Sequence, residues 1–256
     1  MSAQDILSKP QPGFDKRVAY GSDANQVLEV RLPRTKPPHA ALMNVHGGYW
    51  RAQYDLAHAG HLCEALRSAG LATFNIEYRR VGNIGGGWPG TFEDIRSAYR
   101  FLQQQQSRFQ LDLDRLIVMG HSAGGQLALC LAGHESSVQR VISLAGVVDL
   151  KQAFSMHLSY DAVKEFLGGK PDAVPDHYRE ADPMQLKIPR ARQWLLTGTE
   201  DDIVPPEFSR DYVAQKKQAA EAVELVEIRR AGHFDLIDPA ADAFKQVRST
   251  ALAAVA

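Results

Sequence analysis

Only two of the 256 residues are cysteine, Cys63 and Cys130. Both sit in apolar stretches with helical spacing, where a buried, reduced thiol is the default, so no disulfide framework and no metal site is indicated. Charge of one sign is lacking too: 29 Lys and Arg against 30 Asp and Glu leave a formal net charge of -1, with no long basic run. Such a chain has no global field to draw in nucleic acid or an anionic membrane surface, and neither is expected as a partner. No segment approaches the roughly 20 apolar residues of a membrane span. Residues 1–11 carry polar and charged side chains rather than the apolar stretch of a secretory signal. These absences point to a cytoplasmic protein. What is present is ample core material, 45% apolar residues against 23% charged.

The chain alternates between strand and helix patterns. Residues 1 to about 20 read as an irregular leader, because Pro10 and Pro12 discourage regular structure. Strands are expected at 26–32, 40–45 and 71–78, and a helix over 56–69 that stops at Gly70. A glycine-rich loop at 81–90 is read as lying near the site; it lacks the G-K-[ST] ending of a phosphate cradle. It is followed by a helix over 91–106 with Thr91 as cap and Asp94 in the first turn, where a carboxylate suits the helix dipole. Further strands are expected at 116–119, 138–145, 193–197 and 223–228, and further helices at 125–132, 206–220 and 239–254. Residues 147–190 break the rhythm and are too short for a core of their own, so they read as a cap or lid on one domain spanning 1–256. Alternation of this kind predicts an α/β class, with a mostly parallel sheet covered by helices on both faces. Ligands on such sheets bind beyond the carboxyl ends of the strands.

The chemistry is concentrated in loops at those ends. Gly120-His121-Ser122-Ala123-Gly124 fits G-x-S-x-G between a buried strand and a buried helix, the context in which the serine projects from a sharp turn. A serine hydroxyl needs a base within reach and an acid to orient that base. After the strand at 193–197 comes Gly198-Thr199-Glu200-Asp201-Asp202-Ile203-Val204-Pro205, and after the last strand comes Gly232-His233. Ser122 and His233 are therefore the expected nucleophile and base; Asp201 and Asp202 both stand in the loop that must supply the acid, and Glu200 is read as solvated. His46-Gly47-Gly48-Tyr49-Trp50 follows the strand at 40–45 and can supply backbone donors to an oxyanion. His46 itself is read as a structural hydrogen-bonding residue.

The order serine, acid, histidine is that of the α/β-hydrolases, and the loop 198–205 resembles the G-x-x-D-x-x-V-P loop of esterases and prolyl-oligopeptidase-like enzymes in that superfamily, which implies Asp201, the third residue after the glycine, as the acid, with Asp202 the second candidate. Residues 46–50 are similar to the H-G-G-G and H-G-G-x-W loops of hormone-sensitive-lipase-like esterases and kynurenine formamidases. Tyr49, where the lipase relatives have glycine, moves the resemblance toward the H-G-G-x-W enzymes and the acetylxylan and feruloyl esterases. The resemblance implies an α/β-hydrolase fold and an oxyanion hole formed by the N–H groups of Gly48, Tyr49 and Ala123. It implies cleavage of a small carboxylic ester through an acyl-enzyme, without metal or organic cofactor. An arylformamidase acting on an amide is the nearest alternative, and a non-catalytic binding module is the alternative of another class.

Trp50 and Trp88 are candidates for lining a substrate pocket, with Tyr49, Phe154, Met156 and His157 behind them. His58, His61 and Glu64 fall three residues apart and read as a solvated helix face rather than a metal site, because no third convergent ligand is evident.

Overall fold

The computed structural model describes residues 6–256. In chain order the first half holds β1 (Lys16–Ala19), β2 (Val27–Arg31), β3 (His39–Val45), α1 (Gly60–Ser68), β4 (Ala72–Ile76), α2 (Gly90–Gln104), α3 (Gln106–Phe109) and β5 (Leu111–His121). The second half holds α4 (Ala123–His134), β6 (Arg140–Leu144), α5 (Leu150–Ser155), α6 (Ala162–Leu167), α7 (Pro175–Ala181), β7 (Arg192–Gly198), α8 (Glu207–Gln218), β8 (Val223–Ile228) and α9 (Phe244–Ala253). The strands form one sheet in the order β1-β2-β4-β3-β5-β6-β7-β8. Pairing is antiparallel from β1 to β2 and from β2 to β4, and parallel across the rest. This is the α/β-hydrolase fold.

Two-residue alternation divides each central strand between two apolar layers. On β3, Ala40 and Leu42 face the layer that α1 and α9 close with Leu62, Leu66, Phe244 and Val247. Ala41, Met43 and Val45 face the layer closed by Ile95 of α2, Leu127 of α4 and Phe208 of α8. Both faces being covered, the central strands read as nearly continuous apolar runs. Each fully buried Leu or Phe contributes about 1.5–3 kcal/mol relative to exposure. Residues 147–190 fold into α5, α6 and α7, whose Leu150, Val163, Phe166 and Tyr178 join the second of these layers.

Several expectations need correction. The supposed irregular leader contains β1, an edge strand whose side chains are mostly exposed and so leave no apolar signature; residues 1–5 lie outside the described residues. The helix expected over 56–69 begins as a 3₁₀ turn at Leu56–Ala59 before α1. Thr91 is not the cap of α2, which starts after Pro89; its hydroxyl donates to Arg79 O and accepts from Gly87 N. Asp94 lies beyond the first turn, where the acidic residue is Glu93, and is buried against Arg79, whose Nε and Nη2 donate to it at 2.9 and 2.6 Å. Cys63 and Cys130 are buried and unpaired, as expected. Burial pushes the Cys63 thiol up to about 12 and that of Cys130 up as well. Among the described residues no helix is long and apolar enough to cross a membrane.

Candidate active site

The parallel strands deliver their carboxyl ends to one edge of the sheet. β5 ends at His121, and Ser122 turns the chain into α4 with φ 56 and ψ -121. A non-glycine residue held there carries strain of about 1–3 kcal/mol and marks a site where side-chain direction is constrained. The flanking glycines permit the turn by close approach. A Cβ on Gly120 would lie 2.0 Å from Gly124 O, and one on Gly124 would lie 2.0 Å from Val45 O at the end of β3. The first contact closes the turn on itself; the second ties it to the neighbouring strand.

His233, in the loop after β8, and Asp201, in the loop after β7, are both buried. His233 Nδ1 and Asp201 Oδ2 are 2.8 Å apart. The other oxygen of Asp201 accepts from the backbone N–H of Ile203 at 3.0 Å and Val204 at 2.9 Å. Asp202 and Glu200 are exposed, so of the two candidate acids it is Asp201 that meets the histidine. Ser122 and His233 line one cavity of about 280 Å³, and Gly48 and Tyr49 line it with them. Tyr49 Oη donates to Ile203 O at 3.2 Å, joining the loop after β3 to the loop that carries Asp201. Burial above all, and then the charge of Asp201, pushes the Tyr49 phenol up to about 12, so it remains a donor at neutral pH.

The backbone at 48–50 is left-handed, with φ of 111 at Gly48, 49 at Tyr49 and 58 at Trp50. His46 fixes the start of this turn. Its Nδ1 lies 2.7 Å from Gly47 O and its Nε2 lies 3.0 Å from Glu77 Oε1. The peptide unit is planar and trans, so holding Gly47 O toward His46 turns the N–H of Gly48 the opposite way. Tyr78 completes the clamp: its hydroxyl donates to His46 O at 2.8 Å, and its ring stacks on the imidazole at 4.4 Å. Burial pushes the Glu77 carboxyl up, but His46, Arg80 and the N–H of Tyr78 outweigh it and leave the group below its ordinary 4.5. The structural role expected for His46 is borne out. Glu77 and Tyr78 fall at the end of the strand expected over 71–78, but β4 stops at Ile76 and leaves both side chains to this clamp.

Other expected pocket residues do not reach the cavity. Trp50 is fully buried, donates from Nε1 to Gln126 Oε1 at 3.0 Å and stacks on Phe166 at 4.5 Å. Trp88 stacks on Phe92 at 5.2 Å, and its backbone N–H donates to Phe166 O, which ties the glycine-rich loop to α6 rather than to the cavity. Phe154, Met156 and His157 also stand apart from it; from the 147–190 segment the cavity takes Ser159. Arg51 holds that segment to the loop after β3, with Nε 2.7 Å from Glu165 Oε2 and Nη1 3.0 Å from Ser159 Oγ.

The histidines read as a solvated face are corrected as well. His58 lies in the 3₁₀ turn, is buried and lines the cavity, whereas His61 and Glu64 belong to α1. Among the described residues no three His, Cys, Asp or Glu side chains converge as a metal site. His121 also lines the cavity, with Nε2 3.0 Å from His233 O. Burial first, and then the charge of His233, pushes its imidazole well below the usual range.

The BD-FAE family profile matches residues 28–215, a span that includes the loop at 46–50, Ser122 and Asp201 and stops short of His233. The chain belongs to the BD-FAE family. Among curated relatives it is 26% identical to esterase LipC of Mycobacterium tuberculosis over 88% of this chain. It is 30% identical to versiconal hemiacetal acetate esterase of Dothistroma septosporum over 67% of this chain. The BD-FAE chain spans 61% of the length of LipC and 52% of the Dothistroma enzyme. Among solved structures it is similar to a truncated carbohydrate esterase from gut microbiota, with TM-score 0.82 at 20% identity over 96% of this chain and 99% of that one. It is similar also to Thermogutta terrifontis esterase 2 with bound propionate, with TM-score 0.72 at 22% identity over 93% and 92% of the two chains.

Proposed function

We propose that the protein is a serine hydrolase of small carboxylic esters. The observation that carries this reading is the cavity shared by Ser122 and His233, with Nδ1 of His233 2.8 Å from Asp201 Oδ2. Membership of the BD-FAE family and the esterase names of its relatives support the same class.

In this reading Asp201 fixes His233 with its proton on Nδ1, leaving Nε2 to take the proton from Ser122 Oγ as the hydroxyl attacks the ester carbonyl. The N–H groups of Gly48, Tyr49 and Ala123 receive the oxyanion, and His233 protonates the departing alcohol. Water activated by His233 then releases the acid and restores Ser122. The cavity volume of about 280 Å³ favours short acyl groups. Residues 147–190 act as a cap, a role supported by Ser159 in the cavity wall and by the Arg51 contacts. A cytoplasmic location belongs to the same proposal.

The test is intact-mass analysis after fluorophosphonate treatment, with p-nitrophenyl acetate hydrolysis measured alongside, on the wild type and on Ser122→Ala. A single adduct on Ser122, and a loss of at least about a thousandfold in the variant, are expected. Full hydrolysis by Ser122→Ala would sink the reading.

A further inference from the structure

Two histidines besides His233 line the cavity. His121 is committed through Nε2 to the backbone of His233. His58 spends one ring N–H on the backbone of Asp55. It rides on the 3₁₀ turn Leu56–Ala59, which Asp55 caps by accepting from Ala57 N at 2.9 Å. The turn buries the residue to 7% exposure and brings its ring to the cavity. The His46 ring stands edge-on to it at 5.7 Å. Among the described residues no side chain hydrogen-bonds the second ring nitrogen of His58.

Burial, reinforced by the charge of His46 and opposed by Asp55, pushes the imidazole down to about 3, so at neutral pH it is uncharged. A neutral imidazole offers one donor and one acceptor. With the donor given to the Asp55 backbone, the acceptor remains; left unmatched at a site sheltered from water it is a net penalty, and matched by a ligand it becomes a selective contact. The rest of the wall narrows the match. No Lys, Arg, Asp or Glu lines the cavity, so neither a carboxylate nor an ammonium on the substrate would find a counter-charge there. A hydroxyl can donate to the remaining acceptor nitrogen without bringing a charge.

We propose that His58 is a specificity-determining residue that hydrogen-bonds a hydroxyl group carried by a small, neutral ester close to its scissile bond. The proposal rests on the serine-hydrolase reading above. The hydroxyl can belong to the acid half or to the alcohol half of the ester, and two isosteric pairs separate these sources. Ethyl glycolate against ethyl propionate places the hydroxyl on the acid, and 2-hydroxyethyl acetate against propyl acetate places it on the alcohol.

The experiment measures kcat/KM for the four esters with the wild type, His58→Phe and His58→Gln, and compares each ratio with that of alkaline hydrolysis, which carries the intrinsic reactivity. In one pair the wild type favours the hydroxylated ester by about tenfold beyond the alkaline ratio, the factor a single neutral hydrogen bond supplies. His58→Phe brings the ratio back to the alkaline value, and His58→Gln, which keeps a donor and an acceptor, restores part of it. A wild-type ratio equal to the alkaline one in both pairs overturns the proposal whatever the variants do. So does an enhanced ratio that persists in His58→Phe. If the wild type hydrolyses none of the four esters, the esterase reading itself falls and this inference with it.

Discussion

Asp201 divides its carboxylate: Oδ2 stands 2.8 Å from His233 Nδ1, while Oδ1 takes two backbone N–H groups of its own loop. The acid is thus anchored before it meets the histidine, and its orientation does not depend on His233. Asp202, one position on, points to solvent.

This division sets apart two neighbouring substitutions. Asp201→Asn should lower kcat on p-nitrophenyl acetate by about 10³–10⁴-fold with little change in KM, because the amide no longer favours the productive tautomer of His233. Asp202→Asn should stay within severalfold of the wild type. Steady-state kinetics of the two variants side by side would check it, and comparable losses would remove Asp201 from the acid role.

In the proposed mechanism His46 and Glu77 act on the turn at 48–50 that receives the oxyanion, without touching substrate. Glu77→Gln keeps the side-chain shape but replaces the carboxylate that faces His46 Nε2, loosening the imidazole that holds Gly47 O. We expect kcat to fall by about 10–100-fold, less than the loss of an oxyanion donor outright, with KM changing far less. An equal rise in KM with kcat intact would mean that the clamp shapes substrate binding instead.

Asp182 provides a test of stability against pH, away from the site. Burial first, and then the charge of Asp149, pushes its carboxyl from the ordinary 3.8 up to about 6. Below 3.8 the group is protonated in both folded and unfolded chains and exacts no penalty. Between 3.8 and about 6 the unfolded chain releases the proton while the folded chain keeps it, so stability falls as pH rises through that window. The full penalty above it is about 3 kcal/mol. Asp182→Asn keeps an acceptor for Met184 N and abolishes the titration. Urea denaturation should therefore show the variant gaining on the wild type by up to about 3 kcal/mol between pH 4 and pH 7. A difference that stays flat over that range would contradict the raised value.

Much of this architecture was legible because apolar periodicity and glycine placement are local signals. Val118 and Met119 announce a strand, Gly120 and Gly124 a close turn, and the loops at 46–50 and 198–205 fall at strand ends by simple alternation. β1 was illegible because Lys16–Ala19 pairs through its backbone at an exposed edge, where side-chain pattern carries no information. Trp50 and Trp88 were misread for a different reason. An aromatic beside a catalytic loop can face either way, and here Phe166 from α6, more than 100 residues beyond Trp50, takes both rings. The burial of His58 likewise depends on a 3₁₀ turn that rotates it off the face of α1.

The close approaches behind the site also bear on how the chain reaches activity. Gly124 abuts Val45 O, Gly47 abuts His121 O, and Gly198 abuts Ala231 O, each contact joining segments at least 30 residues apart. No contiguous stretch of chain can assemble the constellation, since loop-closure entropy must be met before any of these contacts forms. A folding intermediate with most of its helices but with β3, β5, β7 or β8 unpaired holds no working site. Under the proposed function, recovery of hydrolysis on refolding is accordingly expected late, at completion of the sheet rather than at collapse of the core.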